Sequence, residues 1–85
     1  MSKRYQEPIE LRLAADHRPR AFVWRGRNYE INEVLKRWTV SGDWWQQESR
    51  RLHAVVAAKH YGELGQYEIV YVAKQKQWFL RRVYD

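Results

Sequence analysis

Cysteine is absent from these 85 residues, which excludes disulfide staples and thiolate metal sites together. The three histidines (His17, His53 and His60) then offer no metal-ligand spacing, and no cofactor is expected. Serine occurs only at Ser2, Ser41 and Ser49, none of them in a nucleophile-elbow context. No glycine-rich phosphate loop is present; the stretch WRGRN has a single glycine and no clear helix behind it. Glu30, Glu33, Asp43 and Glu48 share one acidic region, but solvated surface acids explain them better than paired catalytic carboxylates. An enzyme is not expected. No apolar run approaches the ~20 residues of a membrane span, and the amino terminus lacks an apolar signal-peptide core. The expectation is a cytoplasmic chain with no membrane partner.

A domain this short has little interior to build with. Large aromatic side chains are an efficient remedy, since each buries roughly 150–250 Å². Five tryptophans and six tyrosines are present. Four of the tryptophans fall between Trp24 and Trp45, so the first question is whether these rings form a core or a surface.

Charge is the second conspicuous feature. The net charge is +6 and the isoelectric point about 9.9. Residues 1–27 carry seven Lys/Arg against three acids, residues 28–49 two against four, and residues 50–85 seven against three. Eleven of the sixteen cations are arginine, the type suited to phosphate and to stacking on planar groups. Such a balance favours a nucleic-acid partner through phosphate attraction, although solubility alone can require a moderate net charge.

Patterning points to strands. Residues 1–7 read as a flexible, polar terminus, and residues 8–85 as one β domain. Pro8–Ala15 alternates Ile9, Leu11 and Leu13 with Glu10 and Arg12, a half-buried strand. Asp16–Arg20 has turn chemistry. Ala21–Ile31 reads as a β-hairpin with Arg25 and Arg27 at its tip. Beyond it, Ile31, Val34, Leu35 and Trp38 stand at helical spacing, yet β-formers surround them. A bent strand from Tyr29 to about Val40, with a bulge at Asn32–Glu33, is favoured over one helical turn. Ser41–Asp43 reads as a turn, and Trp44 opens the next element. Arg51–His60 reads as a strand, though its alanines also suit a helix. Gln66–Ala73 is a strand rich in β-formers; Lys74–Gln77 is a polar tip, and Trp78–Asp85 is the last strand. Six or so short strands with tight turns imply an all-β fold. A small antiparallel β-barrel or strongly curled sheet, of about SH3 size, removes exposed edges.

Basic residues beside flat rings are the one functional signal. Single-strand binders combine phosphate-tracking cations with rings on which bases stack, and small β-barrels present both. The candidate contacts are Arg25 and Arg27, Lys74 and Lys76 at the second tip, and Arg81 and Arg82 on the last strand. Trp24 and Trp38 read as core. Successive strand residues face opposite ways, so one of Trp44 and Trp45 must turn outward, and Trp45 is the candidate stacking face. One of Trp78 and Phe79 must do the same. His53, in an apolar strand, reads as a hydrogen-bonded core residue.

Trp24-Arg-Gly-Arg27 with Tyr29 following, Val34-Leu35 before Trp38, Gly42 before Trp44-Trp45, and the ending WFLRRVYD together resemble an uncharacterised bacterial domain family. The match runs from about Pro8 to Asp85. Members stand alone or close the carboxyl end of ImuB-type proteins, catalytically inactive relatives of Y-family DNA polymerases. The resemblance implies a non-enzymatic accessory role in DNA repair or translesion synthesis, with no transferable site residues. Two readings follow: a domain that binds DNA or another single-stranded nucleic acid, or a protein-interaction module that docks a repair or polymerase partner through an aromatic patch. Interfaces favour the same residue types, so composition does not separate them, nor does it set the oligomeric state.

Overall fold

Six strands follow one another along the chain, each hydrogen-bonded to the next, and the first pairs with the last. They are β1 (Lys3–Leu13), β2 (Pro19–Trp24), β3 (Arg27–Val40), β4 (Arg51–His60), β5 (Glu63–Val72) and β6 (Gln77–Tyr84). The computed structural model describes residues 3–40 and 50–84; Trp44, Trp45 and the expected Ser41–Asp43 turn lie outside them. All pairings are antiparallel, and the result is a closed barrel. The expected all-β architecture is present, and closure leaves no long strand edge to template aggregation. Among the described residues there is no helix long and apolar enough to cross a membrane.

β1 starts at Lys3 rather than at Pro8. Lys3 and Arg4 pair with Val83 and Arg82, and Glu7, Pro8 and Ile9 with Leu80, Phe79 and Trp78. The segment read as a flexible terminus therefore forms, from Lys3 onward, half of the closing seam. Glu7 hid this, because a charged residue at an inward position breaks the alternation of Tyr5, Ile9 and Leu11.

The segment Ile31–Trp38 is strand, not a helical turn. The register of β3 against β4 shifts between Ile31 and Glu33 and again between Val34 and Lys36. Each bulge inserts one residue and resets which side chains face inward. Two such insertions convert a period-2 pattern into one that mimics helical spacing.

The lumen is filled by rings. Phe22 and Tyr29 stack at 4.9 Å with planes 3° apart, and Tyr67 meets both edge-on at 5.6 and 5.3 Å. β4 faces them with Ala54, Val56 and Ala58, all buried. Those alanines, ambiguous as helix formers in the sequence, are small because the rings opposite are large. Ile9, Ile69 and Leu80 complete the packing. Burial pushes the Tyr67 phenol above its ordinary pKa.

Two hairpins at one end turn in two residues, Arg25–Gly26 and Tyr61–Gly62. All four have positive φ, 53° and 73° in the first pair and 51° and 80° in the second. This is the twist that two-residue hairpins require. Glycine adopts it freely, whereas a residue with a Cβ is strained by roughly 1 kcal/mol or more.

Gly65 occupies a different kind of position. A Cβ there would lie 2.8 Å from the Tyr67 hydroxyl oxygen and 3.1 Å from its ring. That ring is locked by Phe22 and Tyr29 and cannot swing away. Gly65→Ala is expected to destabilise the barrel by about 1–3 kcal/mol in denaturant titration, the usual range for overpacking.

Candidate nucleic-acid interface

The residues predicted to contact phosphate separate into three groups. Arg25 is committed within the fold. Its Nε donates to Glu7 Oε1 at 2.9 Å and a terminal nitrogen donates to Oε2 at 2.6 Å, a bidentate pair. Trp24 Nε1 donates to the same Oε1 at 3.1 Å. The guanidinium also lies 4.7 Å from the Trp24 ring centroid and 5.4 Å from that of Tyr5. Arg25 is thus a rivet that ties the β2–β3 hairpin to β1. Arg27, exposed, opposes Trp24 in the ladder.

Lys74 and Lys76 are exposed on the β5–β6 turn, as expected. Lys76 has φ 51°, and its N–H donates to the Ala73 carbonyl at 3.2 Å.

Arg81 and Arg82 straddle a bulge. Ile69 pairs with Leu80 and Glu68 with Arg82, so Arg81 is the extra residue. Strict alternation would send one of the two into the barrel. The bulge instead keeps both on the outer face while Leu80 stays fully buried. Arg82 is also the direct cross-strand partner of Arg4, and like charges so placed are destabilising. Its Nε is buried with no hydrogen-bond partner among the described residues.

Arg4 and Arg81, but not Arg82, border a groove of about 420 Å³ that crosses the seam. Arg4, Arg51 and Arg81 line it; Val70, Val72 and Phe79 form its apolar part; Gln6 and Gln75 add hydrogen-bonding groups. No carboxylate is among the described lining residues. Gln75 lies between Lys74 and Lys76, so the tip carrying those lysines stands at the end of the groove. Phe79 is the outward member of its pair, and Trp78 packs against the core.

Beneath the rim lies Glu68, a buried carboxylate on the outer side of β5. Tyr84 Oη donates to its Oε1 at 3.1 Å, and His53 Nδ1 lies 3.3 Å from its Oε2. Arg81 Nε lies 3.4 Å from the same oxygen. Glu68 therefore anchors one groove arginine from below. His53 is buried and hydrogen-bonded, as expected, and is covered by the Trp38 ring at 5.1 Å and 12°. This corrects the placement of Trp38. It is half-buried on the outer surface rather than in the lumen, because it has the opposite parity to inward-facing Tyr29 and the two one-residue bulges of β3 cancel in their effect on facing, whereas Trp24 is core.

The structure brings Arg81 and the Lys74–Lys76 tip to one groove, with Arg82 at its seam. It does not bring Arg25 and Arg27 there, and Trp45 lies outside the described residues. Sequence reasoning missed Arg4, Arg51 and Phe79 as groove-forming residues and Glu68 as their anchor. Arg4 was legible in principle, since Tyr5, Ile9 and Leu11 keep one parity across the Glu7 interruption. Arg51 and Glu68 carried no local signal.

The fold and groove define the class: a small, closed antiparallel β-barrel with an arginine-lined groove. The chain belongs to the family described as a domain of unknown function, DUF6504, whose model matches residues 1–85. No curated protein and no solved structure matches the chain.

The Glu7–Arg25 pair sets a pH dependence. The hydrogen bonds from Arg25 hold the Glu7 carboxyl below its ordinary value. A depressed carboxylate contributes stability above its unfolded-state pKa and loses it as pH falls through the folded-state value. Acid titration of thermal stability is expected to be flatter in Glu7→Gln than in the parent across the carboxylate range. Identical slopes would show that the pair contributes nothing.

Proposed function

We propose that this domain is a non-enzymatic accessory module that binds nucleic acid, preferentially single-stranded, along the groove over the β1–β6 seam. The observation that carries the reading is the convergence of Arg4, Arg51 and Arg81 around an apolar floor containing Phe79. Guanidinium groups attract and grip phosphates, while an outward aromatic ring offers a base a stacking face. The Arg4–Arg82 opposition supports it further, since an anion in the groove would offset that repulsion. The likeness to the segment that closes ImuB-type proteins supplies the setting, DNA repair or translesion synthesis, in which such a module would hold template or displaced strand for a partner.

A second reading, docking of a polymerase or repair protein, rests on a different surface. The barrel mouth around Leu11, Leu13, Val34, Leu52 and Trp78 encloses about 720 Å³, with Leu13 52% and Leu52 40% exposed. Salt separates the two, because an apolar interface responds far less to ionic strength than phosphate contacts do.

Fluorescence anisotropy with labelled single-stranded and duplex DNA over a salt series is the test. Binding to the single strand should weaken linearly in log–log form as salt rises. Arg4→Ala combined with Arg81→Ala removes two contacts and should flatten the slope by about 1.4, at roughly 0.7 per phosphate for single strands. Absence of binding to any nucleic acid at low salt would refute the proposal.

A further inference from the structure

The β4–β5 hairpin presents a residue that its own conformation disfavours. Tyr61 is the first central residue of that turn, with φ 51°, a place usually taken by Asn, Asp or Gly. Arg25 bears the same strain at the neighbouring hairpin, and there the Glu7 pair and two aromatic rings offset it. Tyr61 has no such return. It is 91% exposed, and among the described residues its one ring contact is with His60, at 4.3 Å and 52°.

His60 is firmly seated. Its ring stacks on Tyr29 at 4.4 Å, and its Nδ1 lies 3.1 Å from the Asn28 carbonyl oxygen. Tyr29 in turn meets Trp24, and Trp24 meets Tyr5. An aromatic column thus rises out of the lumen and ends in a ring open to solvent. The Asn28–His60 contact sets the two hairpins side by side. Lys59 is exposed two residues before Tyr61 and opposes Glu30 in the ladder; Glu63 pairs with His60, so the cations and acids flanking this tip are balanced.

We infer that Tyr61 is a second stacking point, taking an unpaired nucleobase on its open face. A strained, exposed ring seated on a fixed imidazole suits a planar ligand, because every base has a π-face. The inference rests on the reading of the barrel as a single-strand binder and adds a contact at the hairpin end, outside the groove.

The experiment titrates labelled oligothymidylate against the full chain, Tyr61→Phe, Tyr61→Asn, and Arg4→Ala/Arg81→Ala, with thermal melts of each. Tyr61→Phe should bind like the parent. Tyr61→Asn should melt no lower than the parent, since asparagine prefers the turn position, yet bind roughly 5- to 150-fold more weakly, the range for one lost stack. Photocrosslinking with a 5-iodouracil-substituted strand should label the Tyr61 peptide. Unchanged affinity in Tyr61→Asn alongside a loss in the arginine variant would overturn the Tyr61 contact and leave the groove. A loss in Tyr61→Asn with none in the arginine variant would do the reverse. Should Tyr61→Asn melt early, Tyr61→Gly and the crosslink decide, and labelling confined to other peptides overturns the inference. No binding by the parent protein overturns both readings.

Discussion

The pairing of β1 with β6 is the contact on which the rest of the molecule depends. Without it the sheet would have two open edges and half of its aromatic filling would face water. With it, rings from β2, β3 and β5 share one lumen with aliphatic side chains from β1, β4, β5 and β6. The seam is also where the chain bends most awkwardly. On β1 two residues, Tyr5 and Gln6, lie between paired positions where β6 has only Arg81. Closure and its irregularity come together, and the irregularity turns arginines outward.

The groove follows from that geometry. Arg4 and Arg82 face each other only because the seam closes, and Arg81 joins them only because it is bulged. Glu68 supplies one buried negative charge beneath three positive side chains, enough to position Arg81 and too little to neutralise the surface. A fold seeking stability alone would gain by replacing one of the opposed arginines. On the proposed reading, an anionic ligand would offset that repulsion.

The two hairpins at the β2–β3 and β4–β5 ends make an instructive pair. Each places a large side chain in a left-handed position and glycine next to it. In one, the side chain folds back and becomes a structural tie through Glu7. In the other it projects. Similar local chemistry therefore serves cohesion in the first case and leaves an open ring in the second; the difference lies in whether a carboxylate waits on the neighbouring strand.

Sequence alone settled the all-β class, hairpin tips within Arg25–Asn28 and Lys74–Gln77, each of which overlaps the observed turn, and the core role of Trp24. Those conclusions depend on local alternation and turn preference, which neighbouring residues carry. It also identified Arg81 and the tip lysines as surface cations, because strands and turns declare their exposed positions. It left Arg4 in a flexible terminus, because the strand partner that orders this segment lies at the far end of the chain. Nor did it show, behind the helix-like spacing that the β3 bulges create, that Trp38 faces outward, or that Arg25 would be claimed by Glu7. Bulges and ion pairs between strands are decided by the register of one strand against another, which local patterning does not carry. Which residues are cationic was therefore legible from the start, but which of them meet is a property of closure.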